Sequence, residues 1–164
     1  MHYLGFVFVD DPTEAAVEKA MAPHQNAHWD WYRPGGRWDG FLQGDAEQEK
    51  RATTNGFNFA PENEQAARNC CKVSELPNDK LPHFFVTDWD FVPKEYYNAY
   101  EKSPHWDGYG AILPTPNWDD RYKKALQDNK DKFVVVVDAH NYWQSCLGVV
   151  LLWRRKCGRG EDGC

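Results

Sequence analysis

Phe133-Val134-Val135-Val136-Val137-Asp138-Ala139-His140 is the stretch from which the fold can be read. Four valines in a row after a phenylalanine favour extended backbone at every position. A strand with one wet face alternates apolar and polar residues; this one does not, so it should be covered on both sides or lie at the centre of a sheet. Past the valines the character changes. Asp138 and His140 are two residues apart, so on a strand they point to the same face.

Working outward, Asn117 is placed to cap an amphipathic helix, with Trp118, Tyr122, Ala125 and Leu126 facing inward and Lys123, Lys124, Gln127 and Lys130 outward. Met1 to Val9, with Tyr3, Gly5, Val7 and Val9 alternating, reads as a second strand. Asp11-Pro12-Thr13-Glu14 then offers an Asp cap, proline at the first helical position and a glutamate that can reach back to the cap. The helix it opens has Ala16, Val17, Ala20 and Met21 on its apolar face and ends at Pro23. Gln43 to Asn58 is polar with glycines at both ends, as in a surface loop, and Pro61 to Val73 has helical composition with Ala66, Ala67, Cys70 and Cys71 on one face. His83 to Val92 reads as a strand or hairpin turning at Thr87-Asp88, Pro93 opens a short helical stretch holding Tyr96, Tyr97 and Tyr100, and the chain around Pro104, Gly108, Gly110, Pro114 and Pro116 is expected to be irregular. The expected architecture is a single α+β domain over residues 1–145, a mixed sheet of about four to five strands flanked by three to four helices. Residues 146–164 read as a C-terminal extension, basic and flexible at its end.

Of 164 residues, 25 are acidic and 19 basic, a net charge of −6. The imbalance lies in residues 1–145, with 23 acids against 15 bases, whereas residues 146–164 carry 2 against 4. Such a body disfavours direct contact with duplex nucleic acid and suits solubility or a basic protein partner. The longest purely apolar run, Val149 to Trp153, is far short of the roughly 18 to 20 residues a membrane span requires. The N-terminus lacks the order of a signal peptide, so the expected setting is cytoplasmic. Five cysteines, at 70, 71, 146, 157 and 164, include no C-x-x-C pair. They read as free thiols; a zinc set of His140, Cys146, Cys157 and Cys164 has spacings that match no familiar finger. No cofactor is expected.

The stretch His28-Trp29-Asp30-Trp31-Tyr32-Arg33-Pro34-Gly35-Gly36-Arg37-Trp38 is the densest aromatic segment of the chain. Trp29, Trp31, Tyr32 and Trp38 offer planes on which a base can stack. Arg33 and Arg37 can meet phosphate or carboxylate through paired hydrogen bonds, and Gly35-Gly36 lets backbone amides approach an anion. Together with His28, Asp138 and His140 these residues form the expected ligand site, suited to a nucleotide-like molecule. The competing reading makes the tryptophans core, Gly35-Gly36 a hairpin turn, and Asp30 and Asp39 partners for the arginines. A third makes His28, Asp30, Asp138 and His140 the centre of a metal-dependent hydrolase of phosphodiesterase or nuclease type. Five of the eight tryptophans precede an aspartate, and Trp38-Asp39-Gly40-Phe41 is echoed by Trp106-Asp107-Gly108-Tyr109, which points to recurring turns. His105 beside that echo reads as a surface histidine. No G-x-S-x-G, H-E-x-x-H, P-loop or dinucleotide-binding fingerprint occurs.

Asp30-Trp31-Tyr32-x-x-Gly35-Gly36-Arg37-Trp38, with Val86-Thr87, Trp118 and its helix, and Val137-Asp138-Ala139-His140, resembles a loosely defined group of uncharacterised proteins of bacteriophages and some bacteria. Many of these end near the Asp-x-His strand, often with cysteine where Ala139 stands here, a departure that weakens any role for a cysteine at that position. The resemblance implies a small phage-type accessory protein or counter-defence factor in the host cytoplasm. Such a protein acts by binding, without enzymatic turnover, either sequestering a nucleotide-like ligand or inhibiting a host defence protein. A virion accessory role is the remaining alternative. Eight tryptophans can also cover a homo-oligomer interface as readily as they line a pocket.

Overall fold

The computed structural model describes residues 2–25, 28–43, 66–88, 90–102 and 109–140. The expected 43–58 loop, the 103–108 echo with His105, and everything after 140, including the extension, its three cysteines and the basic end, lie wholly or almost wholly outside them.

The valine run forms the strand it announces. Strand β8 (Phe133–His140) pairs antiparallel along its whole length with β1 (His2–Val9), in register from His2 opposite His140 to Val9 opposite Phe133. On its other side β1 pairs in parallel with β4 (Phe84–Val86), which turns back antiparallel into β5 (Phe91–Pro93) through a Thr87 amide bound to the Asp90 carbonyl. The outer edge of β8 is divided between two short strands: β2 (Trp31–Pro34) pairs with its end and β3 (Cys70–Lys72) with its beginning. The result is a mixed six-stranded sheet, β2-β8-β1-β4-β5 with β3 also on β8. A separate antiparallel ribbon joins β6 (Glu95–Lys102) to β7 (Tyr109–Pro114).

Each face of the sheet is covered, which is why β8 has no wet side. Helix α1 (Glu14–Met21) lays Val17 and Met21 on Val7, Val9, Val135 and Val137, together with Trp29, Phe84 and Ala66. Helix α2 (Trp118–Asp128) lays Trp118, Tyr122 and Ala125 on Leu4, Phe6, Phe8, Phe85, Val134 and Val136. Residues 134–139 are buried throughout. Gly5 is required where β1 meets this packing, since a Cβ there would stand 2.1 Å from the Phe84 ring and 2.7 Å from Val137.

The α+β class stands; among the described residues the sheet has six strands instead of four or five, and the helices number fewer than the three to four expected. Two expected helical segments contain strands. Cys70 to Lys72 is extended because the Phe133–Val135 edge of β8 needs partners for its backbone groups, while the described residues 66–68 before it are α-helical. The tyrosine-rich segment after Pro93 becomes β6, whose backbone pairs with β7, in keeping with the preference of aromatic residues for strands. Gly110 to Pro114, expected irregular, is part of β7. Both expected caps also differ in detail: Thr13, not Asp11, caps α1 by accepting from the Ala16 amide, and Asn117 takes a left-handed conformation (φ 54°) without a side-chain cap bond.

Candidate functional site

Residues directly opposite in adjacent strands share a face, and the register at one end of the sheet therefore builds a patch row by row. Trp31, His140 and His2 form the outermost row across β2, β8 and β1; Arg33, Asp138 and Leu4 form the next. Below these begins the apolar core on which α2 sits. The patch is the polar continuation of a buried face.

Its aromatic rings are in mutual contact. The Trp31 indole lies parallel to the His140 imidazole, 5.1 Å apart at 7°, and His2 meets both edge-on at 5.4 and 4.9 Å. Trp31 is 42 % exposed, the one tryptophan among the large exposed apolar residues described. Each imidazole is held by a carboxylate through Nδ1. His2 Nδ1 is 2.9 and 3.1 Å from the two Asp138 oxygens, and His140 Nδ1 is 3.1 and 3.2 Å from those of Asp30. An ionised carboxylate only accepts, so Nδ1 carries the proton in both rings and the lone pair of the neutral form lies on Nε2.

The two carboxylates differ in setting. Asp138 is buried and also accepts the Arg37 backbone N–H at 3.1 Å. Asp30 stands at the surface; what burial it has raises its pKa, but the His140 hydrogen bond and nearby backbone amides outweigh this and hold it below the usual carboxylate value.

The Gly35-Gly36 turn holds the Arg37 amide in place. Both glycines have positive φ, 70° and 55°, and a Cβ on Gly36 would stand 2.3 Å from that of Asp138. Gly35 donates to the Val136 carbonyl at 2.8 Å, and Val136 donates to the Asn69 carbonyl at 2.9 Å. The Asn69 side chain accepts from the Gly40 amide and donates to Asp39, which also pairs with Arg68. Asn69 is 3 % exposed and ties β8 to the turn exactly where the edge passes from β2 to β3.

The structure thus divides the residues expected to act together. Trp31, Arg33, Asp138 and His140 share one patch, with the Gly35, Gly36 and Arg37 backbone beneath it. Trp38 packs partly buried on the α2-side core, against Phe41 and His83. Trp29 is buried on the α1 face, where it stacks on Phe84; Tyr32 joins it there, its hydroxyl pushed up to about 12 by burial and by Glu18 and Glu14. His28 stacks on Phe91 at 4.0 Å, and burial followed by neighbouring His24 lowers its pKa. Consecutive strand residues alternate faces, so Trp31 and Tyr32 could not both join one pocket.

Sequence reasoning missed His2 and Asn69. The period of two that pairs Asp138 with His140 would have placed His2 in the patch had the antiparallel register of β1 and β8 been known; nothing local marks Asn69. Among the described residues no group of three His, Cys, Asp or Glu side chains is arranged to hold a metal ion. Cys70 and Cys71 are free thiols there, with burial raising both and pushing Cys71 up to about 11. No helix among the described residues is long and apolar enough to cross a membrane. A groove of about 320 Å³ between α2 and the β4–β5 turn is lined by Asp88, Asp90, Arg121, Lys124 and Asp128, whose charges pair with one another or with Lys132.

No protein-family model, curated protein or solved structure matches this chain.

Proposed function

We propose that this protein binds a nucleotide-like ligand at the sheet end formed by Trp31, Arg33, His2 and His140, and serves as a phage-type accessory factor that withdraws such a ligand from the host. The observation that carries this reading is the exposed Trp31 indole, seated on His140 one row above Arg33. A large aromatic plane at the surface is costly to leave wet, and a base laid on it gains about 1 to 3 kcal/mol of stacking. A phosphate attached to that base would lie toward Arg33, whose planar guanidinium suits its oxygens.

The metal-dependent hydrolase reading built on His28 is not favoured, because His28 stacks on Phe91 while Asp30 and His140 pair elsewhere. Inhibition of a host protein draws on the acidic balance of the chain alone.

Calorimetry with a panel of linear and cyclic nucleotides tests the reading. Binding is expected, and Trp31→Ala should weaken it about 5- to 150-fold, the range that corresponds to one lost stack. A panel without heat, or affinity unchanged in Trp31→Ala, would overturn it.

A further inference from the structure

The patch holds more than a stacking platform requires. Two imidazoles lie with ring centres 4.9 Å apart, and each has its own carboxylate on Nδ1. Binding an anion needs positive charge, and a carboxylate behind each histidine works against that. What such a carboxylate does is fix the ring's orientation and tautomer, the arrangement by which an imidazole becomes a proton acceptor or donor at Nε2. The arrangement is doubled, with the two pairs built from different segments: His2 with Asp138 across β1 and β8, and His140 with Asp30 across β8 and the residue preceding β2.

We infer that His2 and His140 form an acid–base pair that cleaves a ribonucleotide phosphodiester by internal transesterification. This rests on the binding reading above, and would make removal of the ligand chemical as well as physical. Of the patch residues Trp31, Arg33, Asp30, Asp138, His2 and His140, none bears a hydroxyl, thiol or amine nucleophile. The chemistry that suits them is one in which the substrate brings its own nucleophile, and a ribose 2′-hydroxyl beside a 3′-phosphodiester does so.

The step needs no further reactant. One imidazole, neutral at Nε2, takes the proton of the 2′-hydroxyl while O2′ forms a bond to phosphorus. The P–O5′ bond breaks, and the other imidazole, entering protonated, gives its Nε2 proton to the departing O5′. The products are a 2′,3′-cyclic phosphate and a free 5′-hydroxyl, and the two rings have exchanged protonation states, which water restores. Arg33 faces the charge that builds on the phosphate oxygens. Asp30 and Asp138 are positioning residues.

The test uses the full chain with the ribodinucleotide uridylyl-adenosine and its 2′-deoxyuridine counterpart, which lacks the nucleophile. The ribo compound is expected to yield uridine 2′,3′-cyclic phosphate and adenosine, and the deoxy compound to bind without change. His2→Asn and His140→Asn keep an amide near the Nδ1 position and should each lower the rate at saturating substrate about 100-fold or more, as loss of a general acid or base does. Asp30→Asn, at the surface, should fold normally and lower kcat with little change in KM, because the His140 ring loses the partner that orients it. If both compounds bind and the ribo compound stays intact, the inference falls and the binding reading stands. If neither binds and nothing is cleaved, both fall. Cleavage at undiminished rate in both histidine variants would also overturn the inference, and if either variant fails to fold, an Asp30→Asn kcat identical to that of the parent decides against it.

Discussion

Gly36 and Tyr122 show how unequal the demands on single residues are. Gly36 combines a left-handed backbone (φ 55°) with direct contact against Asp138, so Gly36→Ala meets both a conformational penalty and a steric one. It should cost about 2 kcal/mol or more and displace the Arg37 amide from Asp138, read as a lower denaturation midpoint with a loss of ligand affinity. Tyr122 is the opposite case. Its hydroxyl is buried with no hydrogen-bond partner among the described residues, and burial drives its pKa well above the usual value. Tyr122→Phe retains the ring stacked on Trp118 and removes an unsatisfied group, so the variant should be more stable by about 1 kcal/mol in chemical denaturation. Chemistry of this kind was only partly visible beforehand. The Gly-Gly pair announced a turn and a close approach, because glycine has few other reasons to be doubled between tryptophans. That the neighbour approached would be Asp138, a hundred positions later, depends on a register that no local pattern encodes.

At the scale of elements, β8 and the two amphipathic helices were legible because their signals are internally consistent: four valines for burial on both faces, and apolar residues at helical spacing for α1 and α2. The hairpin of β4 and β5 was legible for the same reason. The segments that misled are those whose structure is set by a partner. Cys70–Lys72 is a strand because β8 has an edge to fill, and β6 is a strand because β7 lies beside it. The aromatic segment misled differently: its density suggested a single cluster, but alternation along β2 sends Trp31 and Tyr32 to opposite faces. The division of the β8 edge has its own test. Asn69→Ala removes the side chain bound to Gly40 and Asp39 and should cost about 1 to 3 kcal/mol. Hydrogen exchange should then quicken first at the Gly35, Gly40 and Val136 amides, where β2 and β3 meet, and leave the β1–β8 ladder protected.

For the molecule as a whole, the histidines set a pH window distinct from that of the carboxylates. Burial lowers His24, His28 and His83, the last aided by Lys94, and His83 has a further reason to resist protonation because its Nδ1 accepts the Leu4 amide at 2.9 Å. A histidine whose pKa is lower folded than unfolded binds more protons in the unfolded chain. Stability should therefore be constant above the unfolded value near 6.5 and decline as pH falls below it. Asp30, held low, withdraws its contribution only at more acid pH, below its unfolded value near 3.8. Thermal unfolding should show a decrease on the order of 5 °C between pH 7.5 and 5, and His28→Phe, which keeps an aromatic ring against Phe91, should reduce it.

The antiparallel union of β1 with β8 also governs how the protein comes into being. At about 5 to 20 residues per second, the first strand would be made on the order of 10 s before the partner against which most of its length is aligned. Until then its row of phenylalanines and valines has only the short β4 to pair with, and His2 has no Asp138 to hold it. An interrupted translation product would therefore possess neither a closed sheet nor an assembled patch. The last strand to leave the ribosome among the described residues is the one that completes the patch, so on the proposed function binding competence would report that synthesis has run through His140.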